Sequence, residues 1–137
     1  MKTLVSSMLL AAGISTITVA AYSAEIVVIV SAKSAASAMK AEDVAQFFLG
    51  KSTQMTPIEH TDGAAIRNEF DQKVLGKDAA QVKSTWTRLV FTGKGATPQE
   101  LATSEDVKKA VAGNPNAIGY VEKSAVDSSV KVVFTSP

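Results

Sequence analysis

The residues best suited to chemistry lie in one short stretch, Thr61-Asp62-Gly63-Ala64-Ala65-Ile66-Arg67. Asp-Gly ahead of apolar residues spaced by four, Ile66, Phe70 and Val74, marks the start of a helix. A helix start presents unpaired backbone N–H groups and the positive end of a dipole, and both attract anions. Gly63 lets the backbone come close to a ligand. Arg67, one turn further on, offers a guanidinium that can grip a phosphate or carboxylate in bidentate fashion, and Thr61 offers a hydroxyl. Asp62 repels a fully ionised anion and favours one that still carries a proton to donate. The same residues also fit a plain structural account. In that account Asp62 caps the helix, Gly63 permits the turn and Arg67 is a solvated or salt-bridged surface side chain.

Little else in the chain competes with this stretch. His60 is the sole histidine, so no histidine pair is available for a metal, and beside a short strand it reads as a surface or partly buried residue. Trp86, Phe47 and Phe48 lie on helical apolar stripes and read as core. Ser31, Ser34 and Ser37 follow the first strand, where ligands collect in α/β sheets. There is no cysteine, which excludes disulfides, thiolate metal sites and a cysteine nucleophile. A nucleophile elbow, a zinc-binding helix motif and a phosphate-binding P-loop are all absent from the sequence. No catalytic constellation appears, so an enzyme is the least expected reading, and no cofactor or metal is expected. Lys and Arg total 14 against 13 Asp and Glu. Without a basic stripe, nucleic acid is not an expected partner.

These side chains need a scaffold, and the hydrophobic pattern supplies one. Residues 25–30, EIVVIV, form a β-branched run typical of a strand buried on both faces. Residues 41–49 read as a helix with Val44, Phe47 and Phe48 on one stripe, a poor N-cap at Lys40 or Met39, and Gly50 as its stop. Thr56 to His60 is a short extended segment, expected as an edge or minor strand because of Pro57. The helix from Asp62-Gly63 closes at Gly76. Asp78 caps a third helix carrying Val82, Trp86, Leu89 and Val90, which ends near Gly93 and Gly95. Thr97-Pro98-Gln99-Glu100 has the threonine cap, first-turn proline and returning glutamate of a helix start. Ser104 caps its continuation through Val107 and Val111. Ala117 to Val121 and Val130 to Phe134 are the last strands. The expected core includes Val28, Val44, Phe47, Phe48, Phe70, Trp86, Leu89, Val111 and Ile118. The order β-α-β-α-α-α-β-β predicts an α/β domain, a mixed sheet flanked by helices.

The first 23 residues read differently. Met1-Lys2 is followed by an apolar and small-residue stretch from Leu4 to Ala21, and Ala21-Tyr22-Ser23 suits signal cleavage after Ser23, with Ala21 and Ala24 as alternatives. Serines and threonines interrupt the stretch, and about 18 residues fall short of the ~20 a membrane span needs. The expected organisation is a secretory signal over residues 1–23 and one domain over residues 24–137. The mature protein is then periplasmic, with no stable membrane span after cleavage.

Four blocks, in order, resemble the phosphate-type periplasmic solute-binding proteins of ABC transporters. Phe47-Phe48-Leu49-Gly50-Lys51 with Thr56-Pro57-Ile58 resembles that family's FLGK…TPI segment. Asp62 to Phe70 is similar to its DGSGTRxxF phosphate loop, Trp86 to Gly93 to a segment of its short members, and Asn114 to Val121 to its xPGAIGYV strand. The resemblance implies a single periplasmic-binding-protein-like lobe. It also implies an exported phosphate ABC transporter substrate-binding-like protein holding phosphate or another small oxyanion at Thr61, Asp62, Gly63, Ala64, Ala65 and Arg67. Two departures temper this. The chain is less than half the length of two-lobed members, and the serine and threonine hydroxyls of the family's loop are lost in Ala64-Ala65-Ile66, so binding is expected to be weak. The alternative is a ligand-free accessory domain derived from such a lobe, with an envelope protein partner or a second copy of itself against the uncovered face.

Overall fold

The computed structural model describes residues 25–137, together with the isolated Gly13. The leader expected over residues 1–23 lies outside the described residues. Among the described residues, no helix is long and apolar enough to cross a membrane.

Ile26 to Val30 are all at most 1% exposed, as their continuous β-branched run demands. They form β1 (Ile26–Ser31), which lies inside a five-stranded mixed sheet. The other strands are β2 (Thr56–His60), β3 (Gln99–Leu101), β4 (Ala117–Glu122) and β5 (Val130–Thr135), and the spatial order is β3-β2-β4-β1-β5. β1 runs antiparallel to both β4 and β5, while β2 runs parallel to β3 and β4. The double burial of β1 therefore comes from helices on both faces and not from a parallel neighbourhood.

The helices are α1 (Ala41–Phe48), α2 (Ala65–Phe70), α3 (Ala79–Phe91) and α4 (Ser104–Ala112). Side chains of β1 alternate between two cores. Ile26, Val28 and Val30 pack with Phe48 of α1, Phe70 of α2 and Trp86 of α3. Val27 and Ile29 pack with Val107 and Val111 of α4. On the α4 side Gly119 brings sheet and helix together: a Cβ there would sit 2.9 Å from a methyl of each of these valines. The result is an α/β/α lobe.

Four expectations change. Residues 97–100 do not start a helix. Gln99 to Leu101 instead pair in parallel with Ile58 to His60, satisfying backbone groups that β2 would otherwise leave open on that side. The next helix starts at Ser104, capped by the Thr103 hydroxyl accepting from the Asp106 N–H at 3.1 Å. For the same reason β2 is not an edge strand, and Pro57 is accommodated near its N-terminal end. The helix expected to run from Asp62-Gly63 to Gly76 is present in two parts, α2 and a π-helical turn over Asp71–Leu75, closed by Gly76 in the left-handed region. Phe47 and Leu89 are only half-buried, because each sits at the margin of its helical stripe.

Candidate functional site

Thr61 to Ala64 form the link from β2 into α2. The Ala64 N–H donates to Thr61 O at 3.0 Å across a turn whose Gly63 has φ +84°, a conformation favouring glycine. Ala64, not Asp62, is the N-cap residue, and it has no side chain able to accept the orphan N–H groups of the first turn. By contrast, α3 and α4 are capped by the side chains of Asp78 and Thr103. Asp62 is exposed and lies 3.8 Å from the Lys83 ammonium. Thr61 is held to β3, its N–H and its hydroxyl both donating to Leu101 O. Ile66 faces the core, 6% exposed, so a hydroxyl at that position would point away from any ligand.

Arg67 turns inward. Its Nη1 donates to His60 O at 2.9 Å and to Glu100 Oε1 at 2.6 Å, and its Nε lies 3.7 Å from Glu59 Oε2. It is 9% exposed, so it is neither solvated nor wholly free. Its Nη2 has no protein acceptor among the described residues.

Behind Arg67 lies a buried polar cluster that sequence reasoning missed. Glu59 accepts from the Tyr120 hydroxyl at 2.5 Å, and its second oxygen has no hydrogen-bond partner. Asp71, the first residue of the π-helical turn, is fully buried with neither oxygen hydrogen-bonded. Burial pushes the Glu59 carboxyl up to about 7, a rise that Arg67 partly offsets. Burial likewise lifts Asp71 to about 6 against the pull of Arg67. Tyr120 is raised by burial and by Glu59. His60 is also buried. Its Nε2 lies 2.8 Å from Tyr120 O, and burial lowers its pKa. Burial would lower the Arg67 pKa too, but the charges of Glu59 and Glu100 hold it up.

Arg67, Asp62 and Lys83 line one open groove of about 380 Å³. Its remaining walls come from α3 and from the segment leading into β3, including Trp86, Phe91 and Pro98. The groove thus joins part of the expected site, Asp62 and Arg67, to α3 residues that spacing alone did not connect to it. Thr61, Gly63, Ala64 and Ala65 stand beside it in the chain without lining it. Among the described residues, no group of three or more acidic or histidine side chains is placed to hold a metal ion. What the arrangement can do is bring a small charged solute against a guanidinium and an ammonium, with an uncapped helix start alongside.

No protein-family model and no curated protein matches the chain in sequence. Solved structures do match its fold. A Clostridium perfringens protein described as a phosphate ABC transporter substrate-binding protein, with phosphate bound, aligns at TM-score 0.62 and 24% identity over 80% of this chain. An ABC-type phosphate transport receptor from Vibrio cholerae aligns at 0.63 and 14% over 80%. PstS from Borrelia burgdorferi aligns at 0.59 and 10% over 80%. The match covers 44%, 45% and 46% of those chains, respectively, so this chain spans less than half their length. Its fold is that of one substrate-binding-protein lobe.

Proposed function

We propose that the chain is an exported, non-catalytic solute-binding lobe of the phosphate ABC transporter type, holding phosphate or another small oxyanion weakly at the start of α2. The observation that carries this reading is the meeting of an uncapped helix start with Arg67 and Lys83 beside one groove. The fold it shares with phosphate-binding proteins supports the same reading. Ala65 offers a backbone N–H group, Arg67 the remaining face of its guanidinium, and Thr61, Gly63 and Ala64, whose own N–H is held by Thr61 O, the shape of the loop. Weakness follows from the site itself. Arg67 is already engaged by Glu100 and Glu59, Asp62 adds a negative charge, and the groove is open to water, where each contact competes with hydration. A dissociation constant near 1 mM, about 4 kcal/mol, is the expected scale.

Ala64→Asp tests the reading by separating stability from binding. A carboxylate at the N-cap satisfies the first-turn N–H groups and raises stability by about 0.5–2 kcal/mol, while it blocks the anion. Isothermal titration with phosphate should lose its signal in this variant and weaken in Lys83→Ala. Phosphate binding unchanged in both variants would place the site elsewhere.

One observation favours the second reading, a ligand-free module with an envelope partner or a second copy of itself. Phe91 is 91% exposed and Val90 44% exposed on adjoining positions of α3. A concentration-dependent dimer that Phe91→Ser disrupts, with no oxyanion bound at millimolar concentration, would select it.

A further inference from the structure

The groove is larger and more apolar than a bare phosphate needs. Lys83, Trp86, Thr87, Val90 and Phe91 fall at helical spacings of three and four, so α3 presents them along one face. From Lys83 to Phe91 that face runs about 12 Å. Asp62, 3.8 Å from Lys83, fixes the α2 loop at the polar end. Val90 and Phe91 mark the other end, where both are exposed. The groove therefore carries charge at one end and hydrocarbon at the other. Its volume is about 380 Å³. A cavity of about 150 Å³ accommodates benzene, so an oxyanion and a ring fit together, whereas phosphate alone leaves the apolar end wet. The charged side chains of the lining, Arg67 and Lys83 against Asp62 and Glu100, cancel formally, which disfavours a small, highly charged ion.

Building on the oxyanion-binding reading above, we propose that the preferred ligand is an organic oxyanion: one oxyanion head joined to an apolar group the size of a single ring. The head lies between Arg67 and Lys83 beside the start of α2, and the ring lies along α3 against Trp86, Val90 and Phe91. A tenfold gain over phosphate, about 1.4 kcal/mol, needs only roughly 60 Å² of apolar surface removed from water.

The test compares phenylphosphonate, inorganic phosphate and neutral benzyl alcohol on the mature chain. Calorimetry gives the affinity, and the fluorescence of Trp86, the single tryptophan, reports occupancy of the groove. Phenylphosphonate should bind at least about tenfold tighter than phosphate and shift Trp86 emission. Combining Val90→Ser with Phe91→Ser should erase that gain and leave phosphate binding unchanged, since both side chains are exposed and their loss leaves the core intact. Equal affinity for phenylphosphonate and phosphate, or a gain that survives the double variant, overturns the organic-ligand inference and leaves the oxyanion lobe standing. Benzyl alcohol binding as tightly as phenylphosphonate, or no binding by either anion, overturns both.

Discussion

Replacing Glu59 by glutamine should make the lobe less sensitive to pH, in a direction fixed by burial. Glu59 is buried against Arg67, Tyr120, Asp71 and Glu100, with its carboxyl raised from 4.5 to about 7. A carboxyl raised on folding binds its proton more tightly in the native state. Unfolding between these two values then releases a proton, and stability falls as pH rises through this window. The gap corresponds to about 3 kcal/mol, fully exerted above pH 7. Asp71, raised from 3.8 to about 6, acts in the same direction over a lower window. His60, lowered from 6.5, opposes both, since it destabilises the fold as pH falls below 6.5. The wild-type profile alone is therefore a mixture, and the difference between variant and wild type isolates Glu59. Glutamine mimics the protonated acid and can still accept from Tyr120. Urea denaturation at pH 4.5 should place the two proteins within about 1 kcal/mol of each other, as near-isosteric neutral groups. At pH 8 the glutamine variant should gain about 3 kcal/mol relative to wild type, because a buried charge has been removed. If the difference is the same at both pH values, Glu59 is not a buried, proton-holding group and the account of the cluster fails.

Other substitutions test the scaffold. Phe48→Ala removes a fully buried ring packed edge-on against Phe70 at 4.8 Å, and should cost about 3 to 5 kcal/mol in chemical denaturation. Gly119→Ala forces a methyl to within 2.9 Å of Val107 and Val111, and should cost about 1 to 3 kcal/mol by the same measurement. Phe91→Ser, at an exposed position, should change stability by less than about 0.5 kcal/mol. Mass spectrometry of exported protein should find an N-terminus between Tyr22 and Glu25, whereas an intact Met1 on a membrane-bound product would defeat the leader reading.

Much of the scaffold was legible because local pattern and tertiary context agree there. The β-branched run of β1, the apolar stripes of α1 and α3, and the Asp78 cap each point the same way at both levels. Residues 97–100 show the opposite case. Threonine, proline and glutamate at capping spacing favour a helix start, but the open flank of β2 recruits the segment as a three-residue strand, and no local signal encodes that pairing. The polar cluster was hidden for a related reason. Glu59 and His60 are adjacent on a strand covered on both faces, so both are buried and alternation gives no clue. Of the site, the loop and Arg67 were visible as residue types, but the inward turn of Arg67 depends on Glu100, 33 positions away. The part played by Lys83 depends on how α3 lies against the loop.

The two cores share β1 as a common wall, and this has a consequence for how the lobe opens. Ile26, Val28 and Val30 belong to one core, Val27 and Ile29 to the other, and the strand is paired along both edges. Losing either layer of helices strips one whole face of β1 and leaves the strand packed on the other face alone. Amide hydrogen exchange should therefore show the backbone of β1 and β4 exchanging together and only by global opening. The three-residue β3, held on one side by β2 and half-exposed at Leu101, belongs to the low-energy openings. Because Thr61 hangs from Leu101 by two hydrogen bonds, each local opening of β3 also loosens the loop at the groove. Slow exchange in the centre of the sheet and fast exchange at residues 61 and 99–101 would mark the lobe as a rigid wall with one pliable rim.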